Sequence, residues 1–93
     1  MIKNFNCKET ERLFKGQFSK KLPQSIQRAA QRKLIQIHAA TTLDFLRVPP
    51  ANHLELLTGN RQGQYSIRIN EQWRICFVWR DNNAIDVEII DYH

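Results

Sequence analysis

The stretch Tyr65-Ser66-Ile67-Arg68-Ile69-Asn70-Glu71-Gln72-Trp73-Arg74-Ile75-Cys76-Phe77-Val78-Trp79-Arg80 alternates apolar and polar side chains twice over. Side chains on a strand point to opposite faces with a period of two, so each run reads as a half-buried β-strand. Tyr65, Ile67 and Ile69 share one face of the first run, with Ser66, Arg68 and Asn70 opposite. In the second, Trp73, Ile75, Phe77 and Trp79 oppose Arg74, Cys76, Val78 and Arg80. Glu71-Gln72 is expected to turn the chain between them. Asp81-Asn82-Asn83 is expected to do so again, since Asp and Asn tolerate left-handed backbone. A third alternating run, Ile85-Asp86-Val87-Glu88-Ile89-Ile90, follows. Three sequential strands with short links make an antiparallel meander.

Working outward, Ile2–Phe5 is a candidate first strand. Asn6 is placed to cap a short helix, with Glu9 at the capping-box position and Gly16 to end it. A firmer helix begins near Pro23, where Ile26, Ala30, Leu34 and Ile37 recur at helical spacing. Arg28 and Arg32 lie about 200° around it from Ile26 and Ala30, so one face packs while the other presents cations. Thr41 and Asp44 signal a single turn through Leu46, and Pro49-Pro50 stops any helix. Leu54–Leu57 is too short to classify, and Asn60-Arg61-Gln62-Gly63 has turn chemistry. A sheet with one apolar face needs helices to cover it, and they should take the Ile67, Ile75 and Phe77 side. The fold class is therefore α+β, in one domain spanning residues 1–93.

The 93 residues carry a formal net charge of +5. Between Glu11 and Asp44 there is no acidic residue, while Arg12, Lys15, Lys20, Lys21, Arg28, Arg32 and Lys33 fall inside that gap. A one-sided basic field attracts polyanions, which points to a nucleic acid or an acidic protein. No apolar run is long enough to span a bilayer, and Met1–Phe5 lacks a signal-peptide profile, so a cytoplasmic protein with no membrane partner is expected. Cys7 and Cys76 have no metal-ligand spacing, and no metal or other cofactor is expected.

Arg68 and Arg74 belong to the face that the helices leave open, near the terminal Asp91-Tyr92-His93. RNA cleavage by its own 2′-hydroxyl needs a base for that hydroxyl, cations for the phosphorane oxygens and an acid for the departing 5′-oxygen. His93 or Asp91 can take a proton, Arg74 can hold a phosphate in a fork, and Tyr92 can donate a proton or stack on a base. Strict alternation, however, sends Asp91 and His93 to the packed face. A strand that ends near Ile90, with a turning tail, is the expected resolution.

The combination Gly59-Asn60-Arg61, Gly63, Tyr65–Arg68, Asn70, Gln72-Trp73-Arg74-Ile75 and Val87–His93 resembles the HigB toxins of the RelE/ParE superfamily. The helical half and Met1–Phe5 fit as well. The resemblance implies a RelE-like fold, an antiparallel β-sheet with N-terminal helices packed on one face. It implies a toxin paired with a HigA-type helix-turn-helix antitoxin, touching operator DNA only through that antitoxin. It further implies a ribosome-dependent endoribonuclease that cuts mRNA in the ribosomal A site. Carried over by motif, Arg74 contacts the scissile phosphate, and Asp91, Tyr92 and His93 match the functional terminus. Some relatives carry a histidine four residues before the equivalent of Gly59 and a lysine just before it. This chain has Glu55 and Thr58 there, so Glu55 becomes a candidate base. Arg61, Arg68, Arg28 and Arg32 are candidate RNA contacts. Two other readings stay open: a ParE-like gyrase inhibitor without catalysis, and a basic RNA-binding module that does not cleave.

Overall fold

The computed structural model describes residues 1–92. Two helices, α1 (Lys8–Phe14) and α2 (Gln24–Ala39), precede a sheet of four strands, β1 (Glu55–Leu56), β2 (Tyr65–Arg68), β3 (Trp73–Arg80) and β4 (Asn83–Asp91). The sheet order is β1-β2-β3-β4, every neighbour antiparallel. This is the expected α+β arrangement with the expected covering face. Ile26, Ala30, Leu34 and Ile37 of α2 pack into one core with Ile67, Ile75, Phe77, Val87 and Ile89. Burying the larger of these side chains stabilises the fold by roughly 1.5–3 kcal/mol each.

The meander is longer by one strand than the alternation indicates. Two residues, Glu55 and Leu56, pair with Ser66 and Tyr65 to form the edge strand β1. Two residues show no periodicity, so this pairing is set by the partner strand rather than by local pattern. The β3–β4 turn does match its residues: Asp81 and Asn82 both adopt positive φ, at 52° and 61°.

Strand β4 departs from simple alternation. Cys76 faces Glu88 and Val78 faces Ile85, so Phe77 alone on β3 opposes both Asp86 and Val87 on β4. Two residues against one is a β-bulge. Asp86 takes φ +55° there, and its carboxylate accepts a hydrogen bond from Asn4 Nδ2 at 2.7 Å while Asn4 Oδ1 accepts from Asp86 N–H at 3.1 Å. The bulge puts Ile85 on the face opposite Val87 and Ile89, contrary to the single run read from sequence.

The N-terminal segment runs parallel to β4 as two isolated bridges, Ile2 with Ala84 and Phe5 with Val87, rather than as a full strand. The bulge between those bridges breaks the ladder. The same docking overrides the expected cap on α1. Asn6 donates its backbone N–H to Val87 O at 2.9 Å and its side chain to Glu88 at 3.4 Å, and α1 starts after Cys7 without a side-chain cap. Glu9 accepts instead from Ser19 Oγ at 2.5 Å. Gly16, with φ +80°, ends α1 as expected. No helix among the described residues is long and apolar enough to cross a membrane.

Candidate active site

Arg74 and Arg68 are cross-strand partners on β3 and β2, and both point to the face away from α2. Yet Arg74 is far from a free surface cation. Its side chain is only 8% exposed. Its Nε donates to Ser66 Oγ at 2.7 Å, and its Nη2 donates to the backbone carbonyl of His53 at 2.5 Å. The same Nη2 lies 3.3 Å from Glu55 Oε1, whose side chain remains 46% exposed. The register explains this grip. Glu55, Ser66, Cys76 and Glu88 form one row across the sheet, and Arg74 sits between Arg68 and Ile90 in the neighbouring row on the same face.

A cleft of about 390 Å³ opens over this corner, walled by His53, Glu55, Arg68, Glu71, Arg74 and Tyr92 among others. That volume is in the range of small-ligand sites, roughly 300–1,000 Å³. Its charges nearly balance, because Arg68 also has a carboxylate partner, Glu71, at 3.8 Å. An anionic ligand would therefore exchange carboxylates for phosphate rather than meet bare cations. The Tyr92 ring lies 5.5 Å from the Arg74 guanidinium carbon and is 42% exposed, a stacking surface at the cleft wall.

Among the described residues, the expected turn after Ile90 does not occur. Strand β4 continues through Asp91, which faces Trp73, and Tyr92 N–H still donates to Gln72 O at 2.6 Å. Alternation therefore keeps Tyr92 with Arg74 and sends Asp91 to the Trp73 and Ile89 face, where its carboxylate accepts from Gln72 Nε2 at 3.1 Å. Backbone pairing at Trp73 outweighs the release of the tail. His93 lies outside the described residues.

The other candidates separate. Arg68 lines the cleft beside Arg74. Arg61 is tied to Glu88 at 2.8 Å and to Gln64 at 3.2 Å, and the Glu88 hydrogen bond raises its pKa further. With Glu88 it spans the row above Cys76, whose thiol burial pushes up to about 11. Arg28 and Arg32 are exposed on α2, behind the sheet from Arg74, so they form a second cationic surface rather than part of the cleft. Sequence reasoning missed the His53 carbonyl, Ser66 and Glu71. For Ser66 a signal existed, a small hydroxyl on the arginine-bearing face of β2. A backbone carbonyl carries no such signal.

The family described as RelE-like toxin of type II toxin–antitoxin system HigB matches residues 3–93. The chain is 45% identical over 65 residues to "Toxin HigB-1" of Vibrio cholerae serotype O1, covering 70% of this chain and 68% of that protein. It is 38% identical over 78 residues to an uncharacterized protein of Haemophilus influenzae, covering 84% and 76% respectively.

Proposed function

From a chain that belongs to the HigB family of RelE-like toxins of type II toxin–antitoxin systems, and so has an antitoxin as partner, we propose a ribosome-dependent endoribonuclease. It cuts mRNA in the ribosomal A site without a metal, and a HigA-type helix-turn-helix antitoxin restrains it. The observation that carries this reading is the Arg74 guanidinium, held from behind by Ser66 and His53 at the floor of an open cleft, with a carboxylate and an aromatic ring beside it.

The chemistry follows from that arrangement. The scissile phosphate displaces Glu55 from Arg74, and Arg68 contributes a second guanidinium next to it. Preorganised cations of this kind stabilise charge that develops on phosphorane oxygens. Glu55, released but still adjacent, accepts the 2′-hydroxyl proton. Glu55 is taken up as the base on the 2′-oxygen side, so the acid for the 5′-oxygen is assigned to His93, a role the imidazole suits. Tyr92 stacks on the base beside the cut. Asp91, on the opposite face, steadies the end of β4 through Gln72. The exposed Arg28 and Arg32, with the rest of the basic helical half, contact ribosomal RNA, and Arg61 braces the cleft through Glu88.

Translating ribosomes carrying a defined message test the proposal. Cleavage at the A-site codon is expected. It should vanish in His93→Ala and fall at least tenfold, about 1.4 kcal/mol of barrier, in Arg74→Ala. Intact message on ribosomes exposed to a protein that still arrests growth would overturn it.

A further inference from the structure

Asn52 is fully buried, with no exposed surface, in a loop between two prolines and the edge strand. Buried amides are tolerated when their hydrogen bonds are made, and this one makes three. Its Oδ1 accepts from Lys33 Nζ of α2. Its Nδ2 donates to Leu46 O at 3.2 Å and to Gln36 Oε1 at 3.3 Å. One side chain thus ties α2, the turn Leu43–Leu46 and the turn Pro50–Asn52 together. The next residue, His53, takes left-handed backbone, φ 45° and ψ 55°, and its carbonyl receives Arg74 Nη2 at 2.5 Å. A non-glycine residue rarely holds that conformation unless its surroundings over-determine it. The carbonyl that grips Arg74 therefore comes from a turn anchored one residue earlier to the helical layer.

We propose that Asn52 is a positioning residue for Arg74: its buried amide fixes the turn that aims the His53 carbonyl at Nη2, and so sets how the guanidinium enters the cleft. Ser66 holds Nε from the sheet, and the Asn52 turn holds Nη2 from the helical layer. With both anchors the plane of the fork is defined; without the His53 bond, Nη2 keeps only the longer contacts to the Ser66 carbonyl at 3.4 Å and to Glu55 at 3.3 Å, and the fork gains room to rotate. Lys33 belongs to the same device. Desolvation, with the neighbouring Arg32 cation second, lowers its pKa, as expected for an ammonium drawn partly out of water toward the Asn52 oxygen.

The inference rests on the nuclease reading for its kinetic consequence but not for its structural one, and two measurements keep these apart. The first is proton exchange at the Arg74 side chain, followed by NMR on ¹⁵N-labelled protein. In Asn52→Ala the Arg74 Nη2 protons should exchange faster, while Nε–H, held by Ser66, keeps its protection. Ile26→Val, a core change toward the other end of α2, should leave both unchanged. The second is single-turnover cleavage of ribosome-bound message. Asn52→Ala should slow it by about tenfold to a hundredfold, the scale of a catalytic group displaced by an ångström, with ribosome binding unchanged. In an Arg74→Ala background the same substitution should cost nothing further, because its effect passes through the missing guanidinium. Lys33→Met, which removes one of the three bonds from a less buried position, gives a smaller shift in the same direction and serves if Asn52→Ala does not fold. Unchanged Nη2 exchange in whichever folded variant is measured, or an equal cleavage loss with and without Arg74, overturns the proposal. If the wild-type protein cuts nothing, the nuclease reading fails and the exchange measurement alone decides the role of Asn52.

Discussion

Glu55→Gln separates two roles for the carboxylate beside Arg74 and predicts opposite outcomes for them. The amide keeps the size of the side chain and an oxygen to face Nη2 at the present 3.3 Å, so the cleft geometry is retained. What changes is charge and basicity. As a counter-ion, Glu55 is nearly half exposed, and a pair with an exposed partner contributes about 0.2–1 kcal/mol. Removing that competitor would tighten phosphate binding by no more than about fivefold. As the base for the 2′-hydroxyl, its loss should slow the chemical step by about 10²–10⁴, or ~2.7–5.4 kcal/mol of barrier. The second effect exceeds the first by more than tenfold, so the net sign is unambiguous. We expect a large fall in single-turnover cleavage of a defined message at saturating toxin, with binding equal or slightly tighter. A Glu55→Gln protein that cuts at the wild-type rate or faster would refute the base assignment and leave the carboxylate a brake on Arg74.

Four further outcomes follow from the scaffold. Thr10 is fully buried and its hydroxyl accepts the Ile89 N–H at 3.0 Å; Thr10→Val, of similar shape, should orphan that donor, cost about 1–3 kcal/mol and lower the thermal midpoint by roughly 4 °C or more. At the bulge, Asp86→Ala should lose the Asn4 pair and strain the left-handed backbone, destabilising by about 1–2 kcal/mol, with Asp86→Gly less harmful in urea titrations because glycine removes the strain alone. Among the thiols, Cys76 has no exposed surface and its pKa is raised from 9.0 to about 11, chiefly by desolvation. A thiol-specific reagent at neutral pH should label Cys7 and spare Cys76 until the protein unfolds. A folded pKa above the unfolded one means that the neutral thiol favours the native state. That contribution should be complete below pH 9.0 and lost as the pH rises toward about 11, visible as a falling denaturation midpoint that Cys76→Ala removes.

Much of this architecture is written locally along the chain. Period-two alternation in Tyr65–Arg80 by itself places Arg68 and Arg74 together on the open face, and the Ile26, Ala30, Leu34 and Ile37 spacing selects the helix that covers the other. Asp81-Asn82 specifies its turn because those side chains tolerate positive φ. These properties depend on a few neighbouring residues, so they survive translation from sequence to structure.

What only the tertiary structure decided depends on partners far away in the chain. Strand β1 exists because Ser66 and Tyr65 offer an edge to Glu55 and Leu56. The bulge at Asp86 rests on Asn4, eighty-two residues distant, and it reverses the face of Ile85. Pairing with Trp73 keeps Asp91 in the strand and away from Arg74. The grip on Arg74 joins a backbone carbonyl, a β2 hydroxyl and an edge-strand carboxylate that no local pattern brings together. Side-chain periodicity is a property of the chain, whereas register and carbonyl direction are properties of the packed whole.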